Sequence, residues 1–247
     1  MAVLRQTLSY AWNGFLDLVY PPRCLICEAE GETVICERCA AGFTPLEEPL
    51  CATCGRPQSP GVPCPDCARA AKRGGWGFDA ARAAGIYRGP LREGIHLLKY
   101  GKQELLGEPL GAFLANRCLT EGLLPPELLR EIDIIAPVPL HWTRQWKRGF
   151  NQARLLAEPI AQQSDLPLSG ELRRIRRTPK QAMASGDDRR RNVTRHMFVA
   201  DRKAFSGKGV LLVDDVFTTG TTTSACAAAL KDAGATKVIV VTLATGG

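Results

Sequence analysis

Val210-Leu211-Leu212-Val213-Asp214-Asp215-Val216-Phe217-Thr218-Thr219-Gly220-Thr221-Thr222 leads from an apolar run through two adjacent acids into a threonine-rich loop around one glycine. The pattern predicts a buried strand, a loop and the start of a helix. A phosphate at such a loop meets backbone N–H groups, the positive end of the following helix and threonine hydroxyls. Gly220 permits close backbone approach. The paired carboxylates of Asp214 and Asp215 suit a polyol, since each accepts hydrogen bonds from ribose hydroxyls and favours a nearby cation. No Gly-Lys-Ser/Thr follows the loop, which argues against a nucleotide-triphosphate P-loop.

Working outward, Thr222 to Ala233 reads as a helix ended by Gly234, and Lys237 to Leu243 as another strand. Upstream, Ile132 to Pro139 is a β-branched run closed by prolines, followed by a helix from about Phe150 to Gln163. Leu91 to Leu98 and Leu105 to Leu119 carry helical spacing. Strand alternating with helix implies a parallel sheet flanked by helices, an α/β fold beginning near Ala80. Cys118 and Cys226 fall within predicted helices and read as core thiols.

Residues 21–75 differ: they are rich in Cys, Pro and Gly, with too few apolar runs to fold by burial alone. Cys24/Cys27, Cys36/Cys39, Cys51/Cys54 and Cys64/Cys67 form four Cys-x-x-Cys pairs. Tetrahedral zinc takes two such knuckles, so four make two closed, structural sites. Sequential pairing joins Cys24, Cys27, Cys36 and Cys39, and Cys51, Cys54, Cys64 and Cys67; interleaved pairing is also open. Short loops between four-thiolate knuckles suit zinc better than disulfides or an iron–sulfur cluster. We place the boundary between this module and the α/β domain (76–247) at about residue 75.

In residues 1–20, Leu4, Leu8, Trp12, Phe15, Leu16 and Val19 share one helix face, so an amphipathic helix is expected, as a packing element or a membrane-surface anchor. Arg5, Asn13, Gly14 and Asp17 interrupt it, which excludes a membrane span. No export signal is apparent, and a reducing, cytoplasmic setting is expected. At 247 residues and 45% hydrophobic, the chain is long and apolar enough to bury a core, so disorder is not the expected state. Net charge is +7, and nine Lys or Arg against three acids between Glu171 and Arg195 hold most of the excess. That run is a solvated surface or a contact for polyphosphate or nucleic acid. It has no aromatic residue before Phe198, so base-stacking platforms are not evident in it; Trp76 and Phe78 could serve, though core packing is the expected use.

The Val210–Thr222 stretch resembles the phosphoribosyl pyrophosphate (PRPP) fingerprint of type I phosphoribosyltransferases. The likeness extends over nearly the whole chain to the ComF family of competence-associated, phosphoribosyltransferase-like proteins. It is carried by the double zinc ribbon, Leu98-Lys99-Tyr100, Pro137-Val138-Pro139-Leu140-His141, Arg148-Gly149-Phe150-Asn151-Gln152-Ala153, Thr178-Pro179-Lys180-Gln181, Arg189-Arg190-Arg191-Asn192-Val193 and the PRPP loop.

This resemblance implies a type I phosphoribosyltransferase-like fold behind a double zinc-ribbon domain. Asp214 and Asp215 would hold the ribose hydroxyls, and Thr218, Thr219, Gly220, Thr221 and Thr222 the 5′-phosphate. His141, Arg144, Lys147 and Arg148 would reach the pyrophosphate; His141 is a candidate acid or base, or a structural hydrogen-bonder. Lys180, Arg189 and Arg190 would lie on a loop that closes over the reaction. Mg²⁺ would accompany PRPP. Thr218 stands where 6-oxopurine enzymes have an aspartate, which disfavours hypoxanthine or guanine as acceptor. The family name implies DNA uptake, with single-stranded DNA and a helicase as candidate partners. A domain that binds PRPP without turnover is the alternative. The acceptor and the oligomeric state are not legible.

Overall fold

A computed structural model describes residues 22–140, 146, 148–175 and 197–246. The predicted N-terminal helix lies outside them. The α/β part is built on a four-stranded, wholly parallel sheet with strand order β1-β6-β5-β2. Its strands are β1 (Ala80–Ile86), β2 (Ile134–Pro137), β5 (Gly209–Phe217) and β6 (Lys237–Thr245). A separate antiparallel pair, β3 (Leu172–Arg174) and β4 (Phe198–Ala200), flanks it.

Side chains alternate across β5 and β6, and the two faces feed two cores. Leu211, Val213, Ile239 and Val241 face helices α3 (Gly89–Tyr100), α4 (Gly107–Leu119) and α6 (Gln152–Ser164), meeting Leu91, Leu114 and Leu156. Val210, Leu212, Val238 and Val240 face helix α8 (Thr221–Asp232), meeting Cys226 and Leu230. Each fully buried Leu or Val contributes about 1.5–3 kcal/mol. Cys118 and Cys226 are buried core thiols, as their helical positions predict.

α6 starts where Asn151 Oδ1 accepts the Ala153 amide at 3.2 Å, a side-chain N-cap. The chain leaves β2 for α6 on one face and leaves β5 for α8 on the other. Adjacent strands whose connections diverge open a crevice at their carboxyl ends, the usual ligand position of an open α/β sheet.

The cysteine module holds two short helices, α1 (Glu37–Ala41) and α2 (Pro65–Ala71), and lies along the outer edge of β1. The Ala81 amide donates to Thr53 O at 2.7 Å, the Ile86 amide donates to Thr44 O at 2.9 Å, and Pro45 bridges to Gly85. These contacts occupy backbone groups that an edge strand would otherwise expose. At the other edge, the Ile135 amide donates to Pro167 O and the Ser169 amide to Ile135 O, so that edge is also covered. Two short helices, α5 (Pro126–Leu129) and α7 (Arg202–Phe205), complete the connections.

Within the described residues the expected elements are present, with shifted ends. The expected strand at Val210–Val213 extends from Gly209 to Phe217, so Asp214 and Asp215 lie within β5 instead of after it. No helix among the described residues is long and apolar enough to cross a membrane.

Candidate functional site

β5 delivers the two acids to the crevice. By the strand alternation Asp215 turns toward the α3 face and Asp214 toward α8. Lys99, in the last turn of α3, places Nζ 2.8 Å from Asp215 Oδ1. Asp214 Oδ1 accepts the Asp215 amide at 2.9 Å. Burial, with the neighbouring Asp215 carboxylate, pushes the Asp214 carboxyl up to about 8, against the opposing pull of that amide, Lys99 and Arg174. The pair therefore divides into one ion-paired carboxylate and one carboxyl that keeps its proton near neutral pH.

The loop after β5 turns directly into α8. Gly220 is its N-cap, with φ of 68°, a left-handed conformation that favours glycine. The Ser224 amide closes the first turn onto Gly220 O at 2.8 Å, and Thr223 Oγ1 donates to the same carbonyl at 3.1 Å. Amides ahead of Ser224 have no carbonyl one turn earlier to bond, as at every helix start. Thr218, Thr219, Thr221 and Thr222 are exposed around them, with Thr219 and Thr221 hydroxyls 2.9 Å apart. Together with Asp214, Val216 and Phe217 they wall a pocket. The donors suit a phosphate, and the acids beside them suit hydroxyls on the same ligand.

Arg148 approaches from the β2–α6 connection. Its guanidinium donates to Gln152 Oε1 at 3.0 Å and lies over the Tyr100 ring, 5.3 Å from the centroid. Tyr100 is the residue after Lys99 at the end of α3, so Arg148 packs on the same helix end that supplies the partner of Asp215. His141, Arg144, Lys147, Lys180, Arg189 and Arg190 lie outside the described residues.

Lys99 is a site residue that sequence periodicity does not single out. It appears there only within a family segment, and its partner is 116 positions away by the numbering of the pair. Arg174 is another: it bears on Asp214 electrostatically, and its guanidinium stands 5.4 Å from the Phe198 ring centroid.

The eight knuckle cysteines gather into two clusters, Cys24/Cys27/Cys36/Cys39 and Cys51/Cys54/Cys64/Cys67, each with all four sulfurs within 4.8 Å of one another. The grouping is sequential. Within the clusters, Cys24–Cys39 sulfurs are 3.8 Å apart, Cys27–Cys36 and Cys51–Cys67 3.6 Å, and Cys54–Cys64 3.5 Å. A tetrahedron with metal–sulfur bonds of about 2.3 Å has edges of about 3.8 Å, whereas a disulfide needs about 2.05 Å. The donors thus fit zinc. The Ala29 amide, followed by the Arg38 side chain, lowers the Cys27 thiol to about 6, favouring the thiolate that binds metal.

Known proteins share these parts. The double zinc ribbon domain family matches residues 15–68, and the phosphoribosyl transferase domain family matches residues 151–247. The chain is 32% identical over 232 residues to the DNA utilization protein YhgH of Escherichia coli K12, covering 90% of this chain and 96% of that one. It is 31% identical to competence protein F of Haemophilus influenzae, with 88% and 94% covered, and 27% identical to competence protein ComFC of Bacillus subtilis, with 81% and 79% covered. Among solved structures, the allosteric regulatory enzyme of purine biosynthesis aligns at 23% identity and a TM-score of 0.37, over 55% of this chain and 26% of that one.

Proposed function

From the premise that this chain belongs to the ComF family, whose members include the DNA utilization protein YhgH and the competence proteins F and ComFC, we propose that it binds PRPP and transfers its phosphoribosyl group to an acceptor during the handling of incoming DNA. The observation that carries this reading is the placement of Asp214 and Asp215 beside the Thr218–Thr222 loop, where β2 and β5 send their connections to opposite faces.

Asp214 and Asp215 accept the ribose hydroxyls; the loop amides and threonine hydroxyls take the 5′-phosphate. We assign the pyrophosphate to Arg148, with His141 and Arg144, and give Lys180, Arg189 and Arg190 a role on the same leaving group. An acceptor nucleophile forms a bond to C1 while the C1–O bond breaks and pyrophosphate leaves with the bonding pair. Positive charge gathers on the ribose ring in between, and the acid pair that takes its hydroxyls would stabilise it. Mg²⁺, when bound with PRPP, neutralises the leaving group. We assign the α/β domain to residues 76–247, the ribbon to 21–75 and the protein to the cytoplasm.

Calorimetric titration of PRPP with Mg²⁺ into zinc-loaded protein tests the site. We expect binding that is lost in Asp214→Asn/Asp215→Asn; absence of binding to the unaltered protein refutes the reading.

The names of the relatives, with the basic run at 171–195, favour single-stranded DNA as a second ligand and a DNA-uptake helicase as a partner. Oligonucleotide affinity that falls steeply with salt supports polyanion contact, and affinity unmoved by salt but abolished by PRPP assigns the oligonucleotide to the nucleotide pocket instead.

A further inference from the structure

The second cysteine cluster touches the phosphate loop through two side chains. Arg56, two residues after Cys54, donates through Nη2 to the backbone carbonyl of Thr218. Its Nη1 pairs at 3.3 Å with Asp66, which lies between Cys64 and Cys67, and its guanidinium stands 5.8 Å from the centroid of the Phe217 ring. Trp76 donates Nε1–H to Cys67 Sγ at 3.4 Å and packs against the cluster. Its ring stacks on Phe78 at 5.1 Å and lies 6.1 Å from Phe217.

The same indole lies beneath the loop. A Cβ placed on Gly220 would stand 2.7 Å from Trp76 Cζ3 and 2.8 Å from Phe217 Cζ. The next residue, Gly77, donates its amide to Ser224 Oγ at 2.9 Å, in the first turn of α8. The ribbon and loop thus meet at a carbonyl, an aromatic floor and the start of the helix. The first cluster is placed differently: Ile26, beside it, packs near Gly94 of α3, on the core face away from α8.

We propose that Arg56 and Trp76 are positioning residues that tie the Thr218–Thr222 loop to the second cysteine cluster, so that metal held by Cys51, Cys54, Cys64 and Cys67 sets the shape of the phosphate site. The effect on PRPP rests on the reading of that loop as its phosphate site; the tie itself does not. Arg56 takes up the Thr218 carbonyl, so that acceptor is committed to the ribbon and does not oppose an anion at the loop. Trp76 fixes the height of Gly220, and the sulfur that receives its N–H is held by the metal. Losing that metal frees Cys67 and Asp66, the two anchors of these side chains.

Hydrogen exchange of the α8 amides from Ser224 onward, followed by mass spectrometry, tests the tie on the full zinc-loaded chain, with PRPP–Mg²⁺ calorimetry alongside. Arg56→Ala and Trp76→Leu keep all eight cysteines, and we expect both to retain two zincs while speeding this exchange about fivefold to tenfold and weakening PRPP by a similar factor. Arg56→Lys, which keeps a donor and a charge, should recover part of both. Cys64→Ser should reproduce the effect; Cys27→Ser should not. Unchanged exchange in Arg56→Ala and Trp76→Leu overturns the proposal, as does equal exchange in the two cysteine variants. Exchange that responds as expected in a protein that never binds PRPP upholds the tie and refutes the PRPP reading.

Discussion

Lys99 Nζ and Asp215 Oδ1, 2.8 Å apart, join the last turn of α3 to the carboxyl end of β5. The contact compensates one of two adjacent acids, with side-chain exposures of 19% for Lys99 and 14% for Asp215. Such a pair lies between a solvent-screened bridge and a buried one. Lys99→Met should therefore cost about 1–3 kcal/mol in denaturant unfolding, and less when Asp215→Asn is also present. A full cost retained in the double variant would show that the pair is not the source.

Asp214 gives a pH dependence with a definite sign. Its carboxyl is raised from 3.8 to about 8, so between those values the folded protein holds a proton that the unfolded chain has released. The native state binds more protons there, and stability contributed by this group falls as pH rises through the window. Compared by denaturation at several pH values, Asp214→Asn should lose less stability than the unaltered protein between about pH 4 and about pH 8.

The same carboxyl should report on ligand. An ionised Asp214 is the better acceptor for ribose hydroxyls, so PRPP binding at neutral pH should release a proton from it. Calorimetry in buffers of different ionisation enthalpy should show this release, reduced in Asp214→Asn. Protons belonging to PRPP itself are common to both proteins and cancel in the comparison.

Gly220→Ala meets both a left-handed φ of 68° and the Trp76 ring. Strain and overpacking together should cost about 1–4 kcal/mol in unfolding free energy and weaken PRPP binding. Adding Trp76→Leu should return part of the stability by removing the clash, though not the part due to φ.

Metal analysis should find two zincs per chain. Cys27→Ser and Cys54→Ser should each leave one, because the two clusters share no ligand. A structural zinc contributes about 10–16 kcal/mol of apparent binding free energy, so strong chelators should unfold the ribbon.

Much of this architecture is legible in local sequence. Leu91, Ile95 and Leu98 mark the buried side of α3, and four knuckles with short loops announce two metal sites. What is missed depends on distant pairing. β1 is largely alanine, which carries little strand preference; its partner β6 makes it a strand. β3 and β4 are three residues each and pair across the interval from Arg174 to Phe198, beyond the reach of any hairpin signal. Arg56 meets Thr218 across 162 positions, so no periodicity could connect them. Trp76 and Phe78 pack around Phe217, the use expected of them over base stacking.

The strand order has a consequence for how the chain is made. β1 pairs with β6, which follows every other described element, so the first strand of the sheet waits for the last. As synthesis proceeds from the amino end, the ribbon can take up metal early, yet β1 gains its place in the sheet only once Lys237–Thr245 has emerged. In the folded protein the ribbon contacts at Ala81, Gly85 and Ile86 cover the edge of β1 that β6 leaves open, so the sheet's first strand is held between the module that precedes it and the last strand to be made.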